Sequence, residues 1–119
     1  MGLLQRWLSR LNETDEQRLA DETRAWADSI PGSVRIAEAP HRQPVKIAGV
    51  IRRITVLPME GAEALEAEIS DGTGEVTAVF MGRRGIGGFA LGSRLVIEGV
   101  IADRHGDARI VNPRLEFAR

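Results

Sequence analysis

The stretch Ala64-Leu65-Glu66-Ala67-Glu68-Ile69-Ser70-Asp71-Gly72-Thr73-Gly74-Glu75-Val76-Thr77-Ala78-Val79-Phe80 limits what this chain can fold into more than any other part of it. Leu65, Ala67 and Ile69 alternate with Glu66, Glu68 and Ser70. After Asp71-Gly72-Thr73-Gly74 the alternation resumes, with Val76, Ala78 and Phe80 in one parity. Side chains two apart on a strand share a face, so the pattern predicts a β-hairpin with one buried side. Asp71-Gly72 suits its turn, because glycine reaches positive φ without steric cost.

Strand patterns surround this hairpin. Val45, Ile47, Gly49 and Ile51 alternate, and then the spacing slips so that Ile54 and Val56 carry the apolar face onward. A glycine followed by a slipped period predicts a β-bulge or tight bend. Pro58–Gly61 is expected to be a loop, and Gly82–Gly88 a short basic connector before the Leu91-Gly92 turn. Leu95, Ile97, Gly99 and Ile101 predict a fourth strand. Asp103–Asp107 predicts a hairpin loop, and Ala108–Phe117 a fifth strand interrupted at Asn112-Pro113. Five strands with glycine kinks in the first and fourth fit a small Greek-key barrel, the OB-fold.

The preceding residues read as helical. Leu3, Leu4, Trp7, Leu8 and Leu11 recur at helical spacing, Asn12-Glu13 breaks the pattern, and Thr14 with Gln17 forms a capping box for a second helix. Leu19, Thr23, Trp26 and Ile30 line one face of that helix, which Pro31-Gly32 ends. Ser33–Glu38 is expected to be a short strand, and Ala39–Pro44 a linker. The fold class is therefore mainly β with N-terminal helices, an α+β chain. A helical segment spans 1–40, and a five-stranded Greek-key barrel spans 41–119.

A chain of 119 residues has room for one domain of this kind. It has no cysteine, which excludes disulfides, thiolate catalysis and zinc–thiolate sites. No apolar run is long enough to span a bilayer, and the N-terminal stripe is amphipathic rather than a signal core, so a cytoplasmic protein is expected. Net charge is −1, without the overall basicity of a generic nucleic-acid binder. Of sixteen basic residues only Lys46 is lysine. Arginine binds phosphate bidentately and stacks on bases.

Residues 45–117 resemble the OB-fold domains of nucleic-acid enzymes. The likeness is carried by Val45-Lys46-Ile47-Ala48-Gly49-Val50-Ile51, Ile69-Ser70-Asp71-Gly72-Thr73-Gly74, Val79-Phe80, Leu91-Gly92-Ser93-Arg94-Leu95-Val96-Ile97-Glu98-Gly99 and Val111-Asn112-Pro113. The chain is similar to the wedge domain of RecG-type branch-migration helicases and to small stand-alone actinobacterial OB-fold proteins. The resemblance implies a nucleic-acid-binding role without the helicase motor.

OB-folds hold single strands on the outer face of their second and third strands and with flanking loops. The expected nucleic-acid-binding residues are Arg52 and Arg53 on the first strand and Thr77 and Met81 on the third. Arg83 and Arg84 follow in the glycine-rich connector, then Arg94 at the fourth strand and Arg104, His105 and Arg109 around the last hairpin. Against this stand Glu66 and Glu68, which face outward and repel phosphate, and a shortage of stacking rings, since Phe80, Phe89 and Phe117 are assigned to the core. Val79 and Met81 would make an outward apolar strip, as useful to a protein partner as to a base.

His41 and His105 lie in a linker and a turn, without acids at ligand spacing, so no metal site, cofactor or catalytic triad is expected. Gly82–Gly88 lacks the ending of a phosphate-binding Walker loop. Two readings remain: a non-catalytic module binding single-stranded or branched DNA or RNA, and a protein-interaction module. The latter would use the barrel face or the N-terminal helix, with a partner or a second copy.

Overall fold

No glycine or proline lies between residues 3 and 28, and the computed structural model carries one uninterrupted helix there, α1 (Leu3–Asp28). The structure describes residues 2–59, 61–104 and 106–118. The two helices expected from the sequence are thus one. Asn12 and Glu13 cost a helix only fractions of a kcal/mol, too little to break it. Thr14 lies inside the helix rather than capping it, and Gln17 Nε2 donates to Asp21 Oδ1 at 3.0 Å, one turn on. No described helix is long and apolar enough to cross a membrane.

The segment expected to be a short strand at Ser33–Glu38 instead ends in a 3-10 turn, Ile36–Glu38. It is tied back to α1 by a bidentate pair. Arg35 Nη2 and Nε donate to Asp28 Oδ2 and Oδ1 at 2.8 and 3.1 Å. The Arg35 guanidinium holds the Asp28 carboxyl below its ordinary pKa.

Six strands follow: β1 (Pro44–Met59), β2 (Ala62–Ser70), β3 (Glu75–Met81), β4 (Arg94–Arg104), β5 (Asp107–Val111) and β6 (Arg114–Phe117). The fifth predicted strand is divided, because Asn112 takes φ +49° and Pro113 has no N–H for the ladder. Part of the loop expected at Pro58–Gly61 is strand instead, as Pro58 pairs with Glu63 and Met59 with Ala62; residue 60 lies outside the described residues.

The sheet order is β1-β2-β3-β5-β4-β6, and β1 pairs again with β4, so five of the strands close a ring. All pairings are antiparallel except β3 with β5. Strand β1 serves two neighbours: its first half lies against β4 and its second against β2. Gly49 stands next to the change of partner at Val50, and a Cβ there would sit 2.7 Å from Ile69 Cγ2 and 2.8 Å from Ser70 O. The bulge expected after Ile51 is present, as the β1–β2 register shifts between Ile51 and Arg53. The hairpin parity holds throughout: Leu65, Ala67, Ile69, Val76, Ala78 and Phe80 all face the barrel core. Phe89 meets Phe80 and Phe117 edge-on, at centroid distances of 5.6 and 6.1 Å, and packs against that core from the β3–β4 connector.

Asp71 makes the hairpin turn a tertiary joint. Its carboxylate is 1% exposed. Oδ1 accepts from Thr73 N, Thr73 Oγ1 and Gly74 N at 2.9, 2.6 and 3.2 Å. Oδ2 accepts from Ile36 N at 2.8 Å, tying the 3-10 turn to the barrel. Gly72, at φ +87°, lies so close to α1 that a Cβ would stand 2.4 Å from Ala20 O. The end of α1 is anchored separately, by Ala27 against Ala48 and Val96, with Trp26 and Ile30 beside them. The first turns of α1 have no such cover: Leu3, Leu4, Trp7 and Leu8 are all exposed.

Candidate nucleic-acid interface

The pairing registers place one row of side chains across four strands. Arg53 on β1 is opposite Glu68 on β2, Glu68 is opposite Thr77 on β3, and Thr77 is level with Arg109 on β5. The row lies on the outer face, since the alternate residues Ile54, Ala67, Ala78 and Ile110 point to the core. Arginines therefore stand at its two edges, with one carboxylate and one hydroxyl between them. In the next row Thr55 is opposite Glu66 and Glu66 is opposite Val79.

The carboxylates engage part of this charge. Arg109 Nη1 donates to Glu66 Oε2 at 3.3 Å, and its Nη2 lies 3.8 Å from Asp107 Oδ2. Glu75 sits beyond Glu68 on the same face. Its pKa is raised, first by the hydrogen bond it shares with Glu68, then by partial burial and the Glu68 charge, while Arg52 and Arg53 pull it back down. The face thus carries two arginines toward β1, one restrained arginine at β5, and an acidic centre in which Glu75 holds a proton more readily than an isolated carboxylate does.

The remaining expected residues are dispersed. Arg52 and Arg53 both reach solvent, as the bulge allows. Thr77 is half-buried in the row, and Met81 is exposed at the end of β3. Arg83 is exposed and lines a groove with Met81, Ile86 and Asn112. Arg84 Nε lies 2.7 Å from Glu63 Oε2, an ion pair off the hydrogen-bonding direction. Arg94 is not on this face. It lies over the Trp26 ring, 5.0 Å from the centroid, on the α1 side of the barrel. The side chain of Arg104 and all of His105 lie outside the described residues.

One expectation is corrected. Val79 does not join Met81 in an exposed strip, because it is 5% exposed. Strand β5 pairs alongside it, with Val79 level with Val111, and the Arg109–Glu66 bridge crosses β3. The partners that sequence reading missed are Glu66 for Arg109, Glu63 for Arg84 and Trp26 for Arg94. Alternation showed that Glu66 faces outward. No local signal shows that β5 lies parallel to β3 and brings Arg109 within its reach.

No group of His, Asp and Glu able to hold a metal ion is found among the described residues. No family model matches the sequence, and no curated protein does. Among solved structures the chain is similar to one in a replication protein A heterotrimer bound to single-stranded DNA. The TM-score is 0.52 at 11% identity, over 76% of this chain and 68% of that one. Replication protein A is built on OB-folds. At that identity the likeness is one of fold, and the described barrel is an OB-like sheet with an N-terminal helix.

Proposed function

We propose that this chain is a non-catalytic OB-fold module that binds single-stranded or branched nucleic acid on the outer face of β2 and β3. The observation that carries the reading is the row Arg53–Glu68–Thr77–Arg109, which puts cations at both edges of the face that OB-folds use. The similar solved chain belongs to a protein bound to single-stranded DNA, which supports the same ligand class. Residues 41–119 form the binding barrel in this reading and residues 1–40 an appendage to it. The resemblance to helicase wedge domains adds forked DNA to the ligands.

The acidic centre sets the character of the binding. Glu66, Glu68 and Glu75 repel phosphate, so affinity is modest, and the arginine–phosphate contacts make it fall as salt rises. Fluorescence anisotropy with labelled single-stranded DNA, RNA and a forked duplex at two salt concentrations tests this. Salt-sensitive binding that is lost in Arg53→Glu supports it, and absence of binding at low salt overturns it.

One observation favours a second reading. Leu3 is 84% and Trp7 60% exposed, on a helical stripe that no part of the barrel covers. Such a stripe suits a protein partner or a second copy of this chain. The side chain of Leu11, expected to extend the stripe, lies outside the described residues. Sedimentation across a concentration series distinguishes self-association from a monomer.

A further inference from the structure

The β1 bulge leaves both consecutive arginines exposed. Arg53 faces Glu68 in the outer row, and Arg52, close enough to Glu75 to act on its charge, also lines a cleft between the barrel and α1. Arg94, from the start of β4, lines the same cleft. Among the described residues neither Arg52 nor Arg94 is in an ion pair, whereas Arg84 and Arg109 are held by Glu63 and Glu66. The Arg94 guanidinium carbon lies over the Trp26 ring, 5.0 Å from its centroid. A cation–π contact uses the charge rather than the N–H groups, and guanidinium N–H groups are the donors that bind phosphate bidentately. Leu19 and Leu91, 55% and 69% exposed, flank the two arginines. The acid lining the cleft is Glu22, and Glu75 at the edge of the outer face also acts on Arg52.

We propose that the cleft between α1 and the barrel is a second nucleic-acid subsite, in which Arg52 and Arg94 hold backbone phosphates of a single strand running off the β2–β3 face. The inference rests on the function proposed above and extends it to a surface outside that face. Arg52 is next to Arg53 in the chain, Arg94 pairs across the sheet with Val50, and Arg52 and Arg94 line one cleft, so the three arginines mark a path from the outer face into the cleft. Leu19 and Leu91 offer apolar surface for sugar or base where the barrel face offers carboxylates. Helix α1 thereby becomes one wall of the binding path.

The test uses the full chain carrying Trp7→Phe, so that Trp26 is the sole remaining tryptophan of the two in the sequence. Labelled oligothymidylate of about 16 nucleotides, the upper end of an OB-fold site, is titrated while anisotropy and Trp26 emission are read. Binding is expected to change the Trp26 emission. Arg52→Gln with Arg94→Gln is expected to weaken binding by about tenfold and to lower the salt slope by about 1.4, the share of two single-strand phosphates. Glu22→Gln is expected to strengthen binding.

The inference is overturned, and the proposed function left standing, if the parent binds while the double variant keeps its affinity and slope and Trp26 emission stays constant. If the parent does not bind at all, both fail. Thermal melting checks each variant. Should Arg94→Gln unfold the chain, Arg52→Gln and Glu22→Gln carry the test, because both side chains are exposed on the surface.

Discussion

Arg109 on β5 reaches over β3 to Glu66 on β2, Nη1 to Oε2 at 3.3 Å, with the arginine side chain 29% exposed and the glutamate 15%. The bridge spans the part of the barrel surface where an OB-fold ligand would lie. In the proposed binding mode a phosphate arriving there competes with a carboxylate already in place, so the bridge is expected to restrain affinity.

Removing that competitor has a predictable effect. Glu66→Gln is expected to tighten single-stranded DNA binding several-fold and to steepen the salt dependence by about 0.7, the share of one added phosphate contact. Anisotropy titrations across salt concentrations measure both. An unchanged slope would mean that Arg109 takes no part in binding.

Glu75 gives the face a pH dependence. Its raised pKa means that the folded state holds the proton more tightly than the unfolded chain does. Stability contributed by this group therefore falls as pH rises through the folded-state pKa, and is regained on acidification. Protonation also removes a negative charge from the face, so nucleic-acid binding is expected to strengthen as pH falls through the same range. Glu75→Gln should flatten both trends relative to the parent. Parallel curves for the two proteins in urea melts and anisotropy would contradict this.

The buried carboxylate of Asp71 has a structural role. Asp71→Ala leaves Ile36, Thr73 and Gly74 N–H groups without their acceptor, and the loss is expected to reach about 3 kcal/mol or more in urea unfolding. Asp71→Asn can retain the acceptor toward Thr73 and Gly74 but sets an amide donor against Ile36 N, and is expected to lose less. Equal losses for the two variants would show that the tie to Ile36 carries the whole effect.

Gly72 tests how α1 is held. Gly72→Ala combines an unfavourable φ with a Cβ 2.4 Å from Ala20 O, so either the turn or the helix must move. A loss on the order of 3 kcal/mol is expected, with a change in Trp26 emission if the helix lifts. A substitution without effect on melting would mean that the helix and the hairpin are not in fixed contact.

The exposed stripe predicts the opposite behaviour. Leu4→Ser with Trp7→Ser should shift the thermal midpoint of the barrel little, because neither side chain packs on it. If the stripe joins two copies, the same variant should lower the sedimentation coefficient at high concentration. A parent that is monomeric throughout removes self-association from the second reading.

The alternation from Leu65 to Phe80 and the slip after Ile51 were both legible, because strand parity and its interruption are local properties of consecutive residues. They determined the hairpin, its buried side and the OB-like class. The unbroken α1 was not legible, because weak local breakers such as Asn12 and Glu13 are outweighed by continuous hydrogen bonding along the helix. Nor were the charge partners. That Arg109 is restrained by Glu66, that Val79 is covered, and that Arg94 rests on Trp26 beside Arg52 all depend on which strand lies next to which and where α1 docks. Ring closure through β1–β4 and β3–β5 decides those neighbours over long sequence separations, and no periodicity within a single segment encodes them.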